Sequence, residues 1–82
     1  MEALPGAGFK RSGNNANEWR KVEDLPLAGE MRPFLVRVLI TGRRVKYQVR
    51  SGSLWRTRSN CMLADVDVGK GYTRIGPEFI YH

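Results

Sequence analysis

Phe34-Leu35-Val36-Arg37-Val38-Leu39-Ile40-Thr41, then Gly42-Arg43, then Arg44-Val45-Lys46-Tyr47-Gln48-Val49-Arg50 is the stretch that decides the fold class. The first run is dense in β-branched residues, which suit a pleated, half-buried surface. The second sets Val45, Tyr47 and Val49 against Arg44, Lys46, Gln48 and Arg50, the two-residue period of a strand with one dry face. Gly42 tolerates the positive φ that a tight hairpin needs. A two-residue loop at Gly42-Arg43 pairs Thr41 with Arg44, Ile40 with Val45, Val38 with Tyr47 and Val36 with Val49. Beyond the first, these pairs are wholly apolar, so this face belongs to the core. A slip of one residue would bring Arg and Lys onto it.

The next turn is Ser51-Gly52-Ser53. A three-residue loop there sets Val49 against Trp55 and Tyr47 against Thr57, adding a ring to the core face. A two-residue loop would set Val49 against Arg56, so the longer loop is expected. The opposite face then carries Arg37, Lys46, Arg50, Arg56 and Arg58 with Gln48, Leu35, Leu39 and Leu54. Lys46 falls directly opposite Arg58, a like-charge pair that a sheet does not adopt for stability. Downstream, Cys61–Val68, Tyr72–Ile75 and Phe79–Tyr81 read as further strands around Gly69-Lys70-Gly71 and Gly76-Pro77. Upstream, Asp24–Pro26 reads as a turn and Ala28–Pro33 as a second connection. A helix, if there is one, belongs near Asn17–Val22 or over residues 59–65.

The expected fold is therefore mainly β (or α+β). It is a small twisted antiparallel meander of five or six strands, open or barrel-like, with at most one short helix. The chain has 82 residues and a mass of 9.3 kDa, room for one domain with a modest core. Residues 18–82 form that domain. Residues 1–17, rich in Gly, Asn, Ala and Ser, read as a flexible N-terminal arm anchored only by Phe9. No apolar run approaches the roughly 18 residues of a membrane span, so no membrane partner is expected. One cysteine allows no intramolecular disulfide, and a cytoplasmic location follows as the expectation.

The formal net charge is +6, and its distribution is uneven. Residues 31–64 hold Arg32, Arg37, Arg43, Arg44, Lys46, Arg50, Arg56 and Arg58 and no acid, while the segments on either side are each slightly acidic. Arginine suits planar, bidentate contact with phosphate or carboxylate. Arg37, Arg43, Arg44, Lys46, Arg50, Arg56 and Arg58 are accordingly the candidate partner-binding residues, with Arg43 and Arg44 as a second cluster at the hairpin tip. A solvated face with surplus arginine stands beside that reading.

Catalytic constellations are absent from the sequence. The only histidine is His82, Cys61 sits in an apolar run that suits a core, and one Cys plus one His cannot complete a zinc site. Asp65 and Asp67 read as carboxylates on one side of a strand, solvated rather than metal-binding. Gly69-Lys70-Gly71 lacks the spacing of a phosphate loop. No enzyme activity, cofactor or metal is expected. A nucleic-acid platform needs rings beside its cations. The longer loop puts Tyr47 and Trp55 on the face opposite Lys46, Arg56 and Arg58, which leaves only contact with phosphates.

Trp19-x-x-Val22-x-Asp24-x-Pro26, Gly29 and the closing Ile80-Tyr81-His82 resemble a family of small prophage-encoded domains of unknown function. That family opens on a W-x-x-V-x-D-x-x-P turn and ends near a hydrophobic-Thr-His-Trp run. Here the turn before Pro26 is shorter, Tyr81 replaces the Thr, and no Trp follows His82. The resemblance implies a phage accessory protein in a bacterial host cell, of the kind that inhibits host defence as anti-CRISPR proteins do, and carries no catalytic residues. The expected function is non-enzymatic binding and inhibition of a host protein complex, the basic surface of this chain meeting an acidic surface of that complex. The alternative is a nucleic-acid-binding module using the same cations, and a phage structural protein is a third reading. Monomer and homodimer are both compatible with the sequence.

Overall fold

The computed structural model describes Gly6 and residues 8–13, 16–27 and 29–81, the side chain of Leu27 apart. Its strands are β1 (Lys10–Arg11), β2 (Glu18–Leu27), β3 (Glu30–Thr41), β4 (Arg44–Ser51), β5 (Leu54–Met62), β6 (Val66–Gly69), β7 (Tyr72–Ile75) and β8 (Glu78–Tyr81), with a 3-10 turn at Leu63–Asp65. They form two antiparallel sheets, a five-stranded meander in the order β1-β2-β3-β4-β5 and a three-stranded one, β6-β7-β8. The mainly β, antiparallel expectation holds, and the large sheet stays open rather than closing into a barrel.

β3 and β4 pair as the apolar pattern dictates: Ile40 with Val45, Val38 with Tyr47, Val36 with Val49. That face is the core. Val36, Val38, Val45, Tyr47 and Val49 are buried there with Leu25 of β2, against Ile75 and Ile80 of the small sheet. Phe9, Phe34, Ile40, Cys61, Leu63 and Val66 pack around them.

Four expectations are corrected. First, neither 24–26 nor 30–33 is a turn or connection; like residues 18–22, one of the two places left open for a helix, they are strand. β2 pairs with β3 along its whole length, from Glu18 with Leu39 to Leu27 with Glu30. Their prolines fit because this hairpin extends past its neighbours. β4 reaches only Val36, and β1 only Trp19 and Arg20, so Pro33 and Pro26 lack no ladder bond on their outer sides. Second, part of the expected arm belongs to the sheet: Phe9 packs on the core and Lys10 and Arg11 pair with Arg20 and Trp19. Third, Cys61–Val68 is not one strand, since the 3-10 turn separates β5 from β6 and leads the chain into the second sheet. Asp65 lies in that turn, apart from Asp67 on β6.

The fourth correction is the register of β5. The loop is the two-residue one: Ser51 pairs with Leu54, Arg50 with Trp55, Val49 with Arg56 and Gln48 with Thr57. A bulge follows, so Tyr47 pairs with Ser59 and Arg58 is the extra residue. Beyond it Lys46 lies opposite Asn60 and Val45 opposite Cys61. The like-charge Lys46–Arg58 pair is thereby avoided, and alternation resumes with Ser59 and Cys61 on the core side.

At Gly76, φ is +61° and an added Cβ would lie 2.8 Å from the Ser59 Oγ, which donates to the Ile75 carbonyl at 2.7 Å. Gly42 has φ +60° with open space around it. Gly42→Ala should cost about 1–2 kcal/mol from the left-handed backbone alone. Gly76→Ala should cost clearly more, because the hydroxyl cannot yield without giving up its bond. Urea unfolding of both variants checks this, and equal losses would refute it.

Candidate functional site

The small sheet covers one face of the large one. Alternation along the observed registers assigns Lys10, Arg20, Arg37, Arg44, Lys46 and Arg50 to the other face, with Val22, Leu35, Leu39, Gln48, Trp55, Thr57 and Asn60. Over the span where β2 to β5 lie side by side, the acid on this face is Glu18. Asp24 lies further out, where β2 runs past β4.

Arg20 and Arg37 lie directly opposite one another, an arrangement that repels unless something intervenes. Glu18, only 5% exposed, accepts from Arg20 Nε at 2.7 Å and from Arg37 at 3.4 Å. Arg37 also donates through Nε to Gln48 Oε1 at 2.8 Å, and the buried Gln48 donates to Thr57 Oγ1 at 3.0 Å. The half-buried Trp55 ring completes the cluster. The Arg37 guanidinium carbon is 4.1 Å from its centroid, and those of Arg20 and Arg50 are each at 5.3 Å. Such contacts stabilise by about 0.5–2 kcal/mol each, the more so as water is excluded.

Burial pushes the Glu18 carboxyl up, but the hydrogen bond and charge of Arg20, with Arg37 beside it, outweigh this and hold its pKa below the ordinary glutamate value.

Nearer the Gly42 hairpin, Leu39, Thr41, Arg44, Lys46 and Asn60 line a recess of about 370 Å³ on this face. Arg44 is steadied there, donating to Asn60 Oδ1 at 3.2 Å and resting on the Met62 sulfur at 3.6 Å. Lys46 is exposed and has no ion pair among the described residues.

Of the candidate residues, Arg37, Arg44, Lys46 and Arg50 thus share one face, and Arg43 stands exposed in the hairpin turn. Arg56 and Arg58 do not join them. Arg56 is set against Val49 on the other side, and Leu54 likewise leaves the basic face to stand exposed by the turn. Arg58 lies 6.0 Å over the Tyr47 ring and donates to Glu78 of β8 at 3.0 Å, joining the two sheets. Sequence reasoning missed Glu18, Arg20 and Trp55 as members of this face. The signal for Arg20 was the alternation of Glu18, Arg20 and Val22 with Trp19, Lys21 and Glu23, masked by Asp24 and Pro26.

Elsewhere, burial and then Asp65 push the Cys61 thiol up, away from the lowered range of nucleophilic thiols. Asp67 is occupied by Arg74, whose Nε donates at 3.1 Å. No group of three or more His, Cys, Asp or Glu among the described residues is arranged to hold a metal. No described helix is long and apolar enough to cross a membrane.

Comparison with protein-family models, curated proteins and solved structures returns no match. The functional reading therefore rests on this face itself.

Two outcomes follow. A glutamate held below its ordinary pKa contributes stability that is complete above its unfolded value and lost as pH falls through the native one. The stability gap between the native chain and Glu18→Gln should therefore be widest above the ordinary glutamate range and shrink below it in urea titrations at stepped pH. A gap independent of pH would refute this. Arg58→Ala, which leaves Glu78 half-buried without its partner, should cost about 1–3 kcal/mol. The exposed Arg56→Ala should stay within about 0.5 kcal/mol, and thermal melts separate the two.

Proposed function

We propose that this protein is a non-enzymatic binding module that takes a single-stranded nucleic acid on the uncovered face of its five-stranded sheet. The observation that carries the reading is the placement of Trp55 among Arg20, Arg37 and Arg50 on a face the small sheet leaves open. Single-strand platforms need planar groups for bases and cations for phosphates on one surface. Here the ring and the guanidinium planes supply the first, and Lys46, Arg44, Arg50 and Lys10 the second. Glu18 is engaged by Arg20 and Arg37, so it does not oppose an incoming phosphate as a free carboxylate would.

A second reading keeps the same face but gives it an acidic protein surface: a phage-type accessory protein that binds and blocks a bacterial host complex. Leu35, Leu39 and the 66%-exposed Val22 favour it, because apolar side chains among cations suit a mixed protein surface.

Fluorescence anisotropy of a labelled oligonucleotide over a salt series tests both. Binding should weaken with salt at a log–log slope of about −0.7 per phosphate neutralised. Trp55→Ala should weaken it by about 5- to 150-fold, the value of one stacked base, and Lys46→Glu should weaken it in every sequence. Circular dichroism should show the fold unchanged in both variants. Absence of binding at low salt would overturn the nucleic-acid reading and leave the acidic-protein one standing.

A further inference from the structure

Resting on that reading, we infer that the Leu39–Thr41–Arg44–Lys46–Asn60 recess is a nucleotide subsite, from which a single strand runs along β4 to Trp55 with a footprint of about four nucleotides. Residues on one face of a strand recur every two positions, about 6.6 Å apart, close to the repeat of successive phosphates along an extended single strand. Arg44, Lys46, Gln48 and Arg50 occupy four such positions on the open face of β4. Gln48 is buried and committed to Arg37 and Thr57, and it interrupts the row of cations where Trp55 reaches across. That position offers a ring for a base instead of a charge for a phosphate.

The recess supplies what a nucleotide needs at the other end. Leu39, cross-strand partner of Lys46, gives an apolar floor. Lys46 has no ion-pair partner among the described residues, so its charge is available to a phosphate, and Arg44, already held by Asn60 and Met62, meets one with little ordering cost. Because Asn60 Oδ1 accepts from Arg44, its amide nitrogen remains as a donor for a base edge, and the exposed Thr41 hydroxyl stands across the recess. The volume, about 370 Å³, lies within the usual range for small-ligand pockets.

Anisotropy with oligothymidylates of increasing length, using the full chain, tests the proposal. Affinity should climb steeply up to about four nucleotides and then level off. Asn60→Ala and Thr41→Val, both at exposed positions, should each weaken the short oligomers by about 5- to 10-fold, as expected for one lost hydrogen bond. Quenching of the tryptophan fluorescence by the bound strand should persist in both. Affinity that keeps rising well past that length, or short oligomers indifferent to both variants while Lys46→Glu and Trp55→Ala still weaken them, would overturn the subsite and leave the binding face intact. Failure of every length to bind at low salt would remove the underlying reading as well.

Discussion

The bulge at Arg58 decides what the two faces of the large sheet become. With a two-residue loop at Gly52-Ser53, regular alternation would send Trp55, Thr57, Ser59 and Cys61 all to the open side. Cys61 would leave the core, and Ser59 would lose the Ile75 carbonyl through which it ties the sheets together. One extra residue restores the phase after Thr57. The first half of β5 can then give its ring to the open face while the second half serves the core. Arg58, the residue left over, turns toward Tyr47 and Glu78 and fastens the small sheet to the large one.

A sheet face that no described strand covers needs its own means of remaining ordered. Here a polar row crosses four strands, Arg20–Arg37–Gln48–Thr57, each residue directly opposite the next. Two arginines in register would repel, and the sheet tolerates them because Glu18 and the Trp55 ring attract both. Two guanidiniums engage Glu18 in turn and offset the cost of burying its carboxylate. The cluster is mutually dependent, which fixes the position of groups that on an ordinary surface would move freely.

The central hairpin was legible from sequence down to its register, since Val36, Val38, Ile40, Val45, Tyr47 and Val49 leave no other way to keep charge out of the core. The short strands Tyr72–Ile75 and Phe79–Tyr81 were legible too, bounded by glycine turns. β2 was not. Pro26 and Pro33 break a central strand but are harmless at a free edge, and which edge is free depends on how far β4 and β1 reach. The β5 register was hidden for a related reason. Choosing a loop by matching Val49 to an apolar partner assumes uninterrupted pairing, and a bulge has no compositional signature strong enough to overrule that. The seven expected site residues therefore divided: Arg37, Arg44, Lys46 and Arg50 came together, Arg43 stayed in the hairpin turn, and Arg56 and Arg58 went to the opposite side. Summed charge along a chain says how many cations exist, not how many remain available once some are bound into the fold.

The same features bear on self-association. At one edge of the large sheet β5 is bulged beside Arg56 and Arg58, and at the other β1 covers only Trp19 and Arg20 of β2, with Pro26 breaking the row of backbone donors further along. Two copies meeting face to face would oppose Arg44, Lys46 and Arg50 with their equivalents, and Glu18, the acid beside them among the described residues, is already engaged. Both geometry and charge thus disfavour stacking of the open face on itself, which keeps that face accessible to a partner of opposite sign. An anionic strand or an acidic protein surface would relieve the repulsion among these cations on contact, and that relief grows with every charge the face holds free.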